Sequence, residues 1–322
     1  MADDRNNIEL FNSLFRGRND LYAVRWEKDG KSGYMPAYEI DWSNYQKHKA
    51  QAGSFKDYKD KKLLPFDHLA IEKHLSGKET CGIYPLQEDN TSFFIAVDFD
   101  KENWKETIRR LHNTCSDFNL PSYIEKSRSG NGGHLWIFFE EAFSAEHSRK
   151  IMFEMLRNAG IISHFEKEPS FDRLFPNQDF HSGKGFGNLI ALPLNGRSLK
   201  EGNTCFIDPK TFESYKNQWD FLLKVKKVSN EQLKELYEKL FNIAPSEILG
   251  SINTDAAPEL EIIIKNQIYL KRVQLNRKLI RFLREKLNFF NSDYIAKKNL
   301  GKSTFNTEKF FNLIEETEKE IL

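Results

Sequence analysis

Two aspartates, Asp98 and Asp100, stand two residues apart at the end of the apolar run FFIAVDFD (93–100). Alternate residues of a strand share a face and lie about 6.5 Å apart. Both carboxylates therefore point one way while Val97 and Phe99 pack on the other. Like charges side by side are unfavourable unless a cation sits between them, and ligand sets made only of oxygen favour Mg2+ or Mn2+ over zinc. The bland alternative is a pair of strand-end carboxylates capping a helix that begins in DKENW (100–104).

A second group follows in SRSGNGGHLWIFF (127–139). Three glycines in four residues predict backbone N–H groups free to face an anion, and His134 opens a buried strand directly after them. The order is not that of a Walker A loop. His134 suits a donor to a phosphate oxygen or, equally, a satisfied core histidine. The stretch 171–196, FDRLFPNQDFHSGKGFGNLIALPLNG, carries Arg173, His181 and Lys184 in what reads as an irregular loop. An Arg or Lys there counters phosphate charge. A third apolar segment ends in an acid at Asp208, where a turn-forming Asp-Pro is the plain alternative.

These residues need elements to hold them. NIELFNSLF reads as a helix, DLYAVRWE as a strand, FDHLAIEKHLSGK as a helix stopped at Gly77, and CGIYPL as a strand. FFIAVDF, a helix over NWKETIRRLHNTCSDF, SYIEKS, HLWIFF, a helix over SAEHSRKIMFEMLRNAG, and then NLIALPL predict a split β-α-β-β-α-β sheet. TCFID adds another strand. From NEQLKELYEKLFNI onward the pattern predicts helix to the end, including YLKRVQLNRKLIRFLREKL.

Composition narrows the classes. The 322 residues carry a net charge of +1, yet Lys265 to Lys302 holds eleven Lys/Arg against two acids. Such a basic block suits a polyanion or a solvated helical face. Arg277, Arg281 and Arg284 fall about a turn apart as a basic stripe beside apolar Leu275, Leu279 and Phe282, which predicts a single-stranded DNA contact. With 39% hydrophobic residues, 27 Phe and 11 Tyr, the chain is not of disordered composition. Its three cysteines are far apart, which argues against a disulfide framework and a CxxC zinc site. The start MADDRNNIEL has no apolar signal region, and no apolar run approaches a membrane span. A cytoplasmic protein without a membrane partner is expected.

AVDFD, a glycine loop running into GGH, and a later hydrophobic-Asp resemble the three motifs of the archaeo-eukaryotic primases. LFRGRNDLYAVRW, SGYMP, CGIYPL, SRSGNGGHLWIFF, DRLFPNQD and GKGFGNLIALPL resemble more closely the primase modules of TOTE conflict systems and the CRISPR-associated primase-polymerases. The resemblance spans roughly residues 8 to 230. It implies an α+β fold: a primase core, made of an N-terminal α/β module (1–90) and an RRM-like catalytic module (91–230), followed by a helical accessory domain (231–322). It implies Asp98 and Asp100 as first-motif metal acids, His134 as the second-motif histidine and Asp208 as the third-motif acid. Position 132 is Gly where many members carry Ser, so Ser129 or backbone N–H groups are its substitutes. Ser129, His134, Arg173 and Lys184 are the expected nucleotide contacts. TOTE-type chains continue into a helicase, and KSTFNTEKFF resembles the segment leading into one.

The activity implied is template-directed primer synthesis and extension from dNTP or NTP on single-stranded DNA, using two Mg2+ or Mn2+ ions. A helicase or CRISPR adaptation proteins are the implied partners. The alternatives are a gap-filling polymerase of the same superfamily, a two-metal nuclease, and a non-catalytic single-strand binder.

Overall fold

Apolar runs of period two and period 3.6 alternate along the first 240 residues, and the computed structural model turns them into strands and helices in that order. It describes residues 2–163, 167–181, 183, 185–241, 262–264, 268–271, 288–290, 303, 310–312 and 320–321. The chain divides into two units, Met1–Ile162 with Lys167–Tyr237, and Ser163–Glu166 with Glu238–Leu322.

The first unit opens with α1 (Ala2–Leu14), the hairpin β1 (Ala23–Lys28) and β2 (Lys31–Pro36), then β3 (Tyr38–Ile40), α2 (Trp42–Ala50), β4 (Lys61–Leu63), α3 (His68–Leu75) and β5 (Cys81–Ile83). Next come β6 (Thr91–Asp100), α4 (Trp104–Asp117), β7 (Tyr123–Lys126), β8 (Gly132–Ser144), α5 (Ala145–Asn158) and β9 (Phe171–Phe175). It ends with β10 (Ile190–Ala191), α6 (Gly196–Lys200), β11 (Phe206–Ile207), α7 (Gln218–Leu222) and α8 (Asn230–Phe241), whose last turn passes into the second unit. Several ends follow from side chains that satisfy the first free N–H groups of a helix. Asp41, Asp67, Ser144 and Asn195 accept from Asn44, Ala70, His147 and Ser198.

Two larger antiparallel sheets carry the unit, beside the two-stranded pair β3-β4. One runs β10-β5-β1-β2 and the other β11-β7-β8-β6-β9. In the second, β6, β7, β8 and β9 with α4 and α5 form the split β-α-β arrangement that the sequence predicts. The fourth strand differs from the expectation. FDRLF supplies it, whereas Ile190–Ala191 of NLIALPL pairs with β5 in the other sheet. FDRLF reads as loop because an edge strand can carry Asp172 and Arg173 toward solvent, which hides its apolar alternation.

β8 is buried from Gly132 to Phe139, as a central strand covered on both faces must be. On one face Ile95 and Ile137 meet Ile151 and Met152 of α5. On the other, Phe94, Ala96, Trp136 and Phe138 share a core with Phe11 and Phe15 of α1, Ile71 of α3 and Ile83 of β5. Each such side chain contributes about 1.5–3 kcal/mol by leaving water. By alternation, Asp98 and Asp100 lie on this second face, beyond the end of the apolar contact.

In the second unit the expectation of helix is corrected at the described residues, where the strands are β12 (Ile262–Ile264), β13 (Ile268–Lys271), β14 (Asn288–Phe290), β15 (Phe310–Asn312) and β16 (Glu320–Ile321). β13 lies between β12 and β16, and β14 pairs with β15. The β-branched run Ile262–Ile264 favours an extended backbone, where stiff side chains fit better than against a helical turn.

Candidate metal centre and nucleotide site

Asp98 and Asp100 leave the end of β6 on one face, as the alternation predicts. The third carboxylate beside them is Asp172, and one oxygen from each of the three lies within 4.8 Å of the others. A bulge puts it there. Asp98 pairs with Arg173 and Phe99 with Phe171, so Asp172 is the extra residue between them. Bulges re-aim side chains and concentrate beside active sites.

Asp208 is not part of this cluster. β7 and β8 stand between β11 and β6, three strand spacings or roughly 14 Å. Its Oδ1 accepts from the backbone N–H of Lys210 and Thr211 at 2.8 and 3.0 Å, and those bonds hold its carboxyl below the ordinary range. The next residue's carbonyl, that of Pro209, accepts from Arg109 on α4, the helix side of the sheet. The Asp-Pro at 208–209 is thus a turn, and FDRLF is another apolar stretch that carries an acid, the one that lies beside Asp98 and Asp100.

His134, on β8, lies opposite Asp98 of β6 and opposite Glu125 of β7. Its Nδ1 donates to Glu125 Oε2 at 2.5 Å, and its Nε2 lies 3.5 Å from Asp98 Oδ1. Burial alone would push this imidazole down. Glu125, then Asp98 and Asp100, outweigh burial and lift it to about 9. Asp98 is pushed up to about 6, first by burial and then by Asp100 and Asp172, against the pull of His134 and Arg173. The neighbouring carboxylates thus favour the charged form of the ring.

The glycine loop does a different job from the one expected. Gly130 N–H donates to Ser127 O and Asn131 N–H to Ser129 Oγ, so neither is free for an anion. Gly130 takes φ +77°, which turns β7 into β8. At Gly132 a side-chain carbon would collide with Asp100 Oδ1 and Phe99 O, so glycine there makes room for the carboxylate. Ser129 lies in this turn, within 3.2 Å of Ser127 Oγ. Arg173 pairs with Asp172 at 2.6 Å and stays half exposed. Lys184, Arg277, Arg281 and Arg284 lie outside the described residues.

Three residues were missed by sequence reasoning. Asp172 carries the same apolar-Asp signature as Asp208. Glu125 is the lone acid of SYIEKS, and pairing the two strands across the glycine turn sets it against His134. Tyr34, on β2 and inside the string SGYMP, has a buried hydroxyl without a hydrogen-bond partner, in the field of Arg128 and Glu125.

The donor set fits hard divalent cations, since three carboxylates converge and Gly132 is shaped to admit one of them. No helix among the described residues is long and apolar enough to cross a membrane. No curated protein matches the chain. The solved polymerase domain of Mycobacterium tuberculosis ligase D, in complex with DNA, is similar at 14% identity and a TM-score of 0.35, over 79% of this chain and 91% of that one. The family model of the TOTE conflict system archaeo-eukaryotic primase domain matches residues 6–236. The chain therefore belongs to the archaeo-eukaryotic primase domains of TOTE conflict systems and is a nucleotidyl-transferring enzyme of that superfamily.

Proposed function

We propose that the chain is a template-dependent DNA primase-polymerase that starts primers on single-stranded DNA and extends them from nucleoside triphosphates. The observation that carries this reading is the convergence of Asp98, Asp100 and Asp172 beside His134, in a chain of this family. Asp172 replaces Asp208 as the third metal acid. Bound there, two Mg2+ or Mn2+ ions would supply Lewis-acid stabilisation of the attacking 3′-hydroxyl and the leaving pyrophosphate.

The protein's own residues position and neutralise, since phosphoryl transfer asks little covalent help. Asp98, Asp100 and Asp172 hold the cations. His134 presents Nε2 on the same face and donates to a phosphate oxygen. Arg173 offers a second cation at the same edge, and Ser129 a hydroxyl in the adjoining turn. Priming differs from extension because the first 3′-hydroxyl belongs to a mononucleotide with no duplex behind it. The basic stretch from Lys265 to Lys302 is proposed to grip the template in place of that duplex.

The test is synthesis on single-stranded DNA with labelled nucleotides and no primer. Products of two or more nucleotides, with pyrophosphate released, are expected. Extension restricted to preformed primers would make the chain a gap-filling polymerase. Strand cleavage without pyrophosphate release would make it a nuclease.

A further inference from the structure

Glu125 is an acid with no place in the motifs. It lies on β7 between buried neighbours and is 1% exposed, so its carboxylate has given up water. Burial of this kind is costly unless partners replace the solvent. Both partners found are donors to one oxygen: His134 Nδ1 at 2.5 Å and Trp136 Nε1 at 3.3 Å. Trp136 is fully buried, packed against Phe94 and Phe138, and cannot swing. The carboxylate is therefore fixed from the core side, and it fixes the imidazole in turn.

The consequence lies at the other nitrogen. With Nδ1 held by Glu125, Nε2 faces the carboxylate cluster and stands 3.5 Å from Asp98 Oδ1. That is longer than a good hydrogen bond, so Nε2 is not committed to Asp98 and looks out on the same face as the carboxylates. An imidazole without a partner at Nδ1 is free to turn about its side-chain bonds and lose this aim.

We propose that Glu125 is the positioning residue for His134, holding the ring so that Nε2 meets an oxygen of the nucleotide's phosphates. This rests on reading His134 as the nucleotide contact. A purely structural pair makes a different prediction, since a buried ion pair can be replaced by packed apolar groups with little loss of stability.

The experiment compares Glu125→Gln and Glu125→Met, each alone and combined with His134→Ala. Long-range 1H–15N spectra of the ring come first, on metal-free and nucleotide-free protein. Wild-type protein should show a protonated, hydrogen-bonded Nδ1, and both variants should shift it. Steady-state primer extension follows. Glu125→Met should lose roughly 10- to 100-fold in kcat/KM for the nucleotide, mainly through KM, with DNA affinity unchanged. Glu125→Gln, which keeps an acceptor, should lose less. In the His134→Ala background either change should cost less than about twofold, because residues acting as one unit are not additive. An equal loss with and without His134 would overturn the proposal, as would ring signals that ignore Glu125. Should Glu125→Met fail to fold, Glu125→Gln alone decides by the same two readings. A wild-type chain that incorporates no nucleotide would defeat the polymerase reading, and the ring spectra would still judge Glu125.

Discussion

His74 and His134 are both buried, and their surroundings put them in opposite charge states. His74, on α3, receives the N–H of Cys81 at Nδ1 and donates from Nε2 to Pro193 O, at 3.0 and 2.8 Å. Both partners are backbone groups, and they fit a neutral ring. Burial pushes it down to about 4, against the Pro193 carbonyl. His134 faces two carboxylates and is lifted to about 9. The difference teaches that burial alone does not distinguish a structural histidine from a working one; the partners do. Around His74 both ring nitrogens are consumed, and Asn195 Nδ2 donates to the carbonyls of His74 and Glu79. Around His134 one nitrogen is held by Glu125 and the other stands 3.5 Å from Asp98.

The largest effect expected lies on the carboxylate side of this contrast. Asp98→Ala, Asp100→Ala and Asp172→Ala should each lower nucleotide incorporation by at least about 1,000-fold, on the order of 4 kcal/mol of lost transition-state stabilisation. None should unfold the protein, since each removes one of three mutually repelling charges. Primer extension beside thermal melting reads both quantities. Near wild-type incorporation by Asp172→Ala would break the assignment of the third acid.

The two histidines should then separate cleanly. His74→Ala removes two buried hydrogen bonds and leaves a cavity, so a loss of about 2–4 kcal/mol is expected, with normal turnover per folded molecule. His134→Ala should cost nucleotide kcat/KM about 10- to 100-fold per folded molecule, beyond the stability it loses by leaving buried Glu125 without its partner. Loss of turnover in folded His74→Ala would mean that the N-terminal sheet transmits its packing to the site.

pH sharpens the same contrast. The folded pKa of His74 lies below the unfolded value of about 6.5. Its neutral form therefore stabilises fully above about pH 6.5, and that stability drains away as pH falls toward 4. A shift of this size corresponds to about 3 kcal/mol. His134 has the opposite sign. Its folded pKa is raised, so its contribution is full below about 6.5 and lost as pH rises through about 9. Urea melts in chelator from pH 4 to 10 should show both arms. His74→Gln should flatten the acid arm only and His134→Ala the alkaline arm only.

Much of this site was legible because strand chemistry is local. The alternation of FFIAVDFD fixes the face of Asp98 and Asp100, and HLWIFF announces a central strand behind His134. What failed was pairing at a distance. Nothing local tells that Ile190–Ala191 returns to β5 while Phe171–Phe175 takes its place beside β6. That exchange puts Asp172, and not Asp208, beside Asp98 and Asp100. The glycines were legible as a special backbone, but their reason, room for Asp100 at Gly132, depends on a neighbouring strand. Ile262–Ile264 and Ile268–Lys271, read as helical from spacing, are strands, since β-branched isoleucines favour an extended backbone.

The smallest effect expected is the one that tests that exchange from its other side. Asp208 ends the edge strand β11, and Tyr123, not Glu125, is its nearest level on β7. Its carboxylate closes a turn by accepting two backbone N–H groups, a local task that asks nothing of the metal site. Asp208→Asn keeps an oxygen for that turn and removes only the charge. Stability should fall by less than about 1 kcal/mol, the usual net worth of such bonds. Incorporation and its dependence on Mg2+ or Mn2+ concentration should stay within about twofold of wild type. The same substitution at Asp172 removes a charge from the cluster and should raise the metal concentration needed for half-maximal rate by tenfold or more. If Asp208→Asn shifted the metal requirement as Asp172→Asn does, β11 would have to approach β6 in the working enzyme, and the order β11-β7-β8-β6-β9 would not describe the catalytic state.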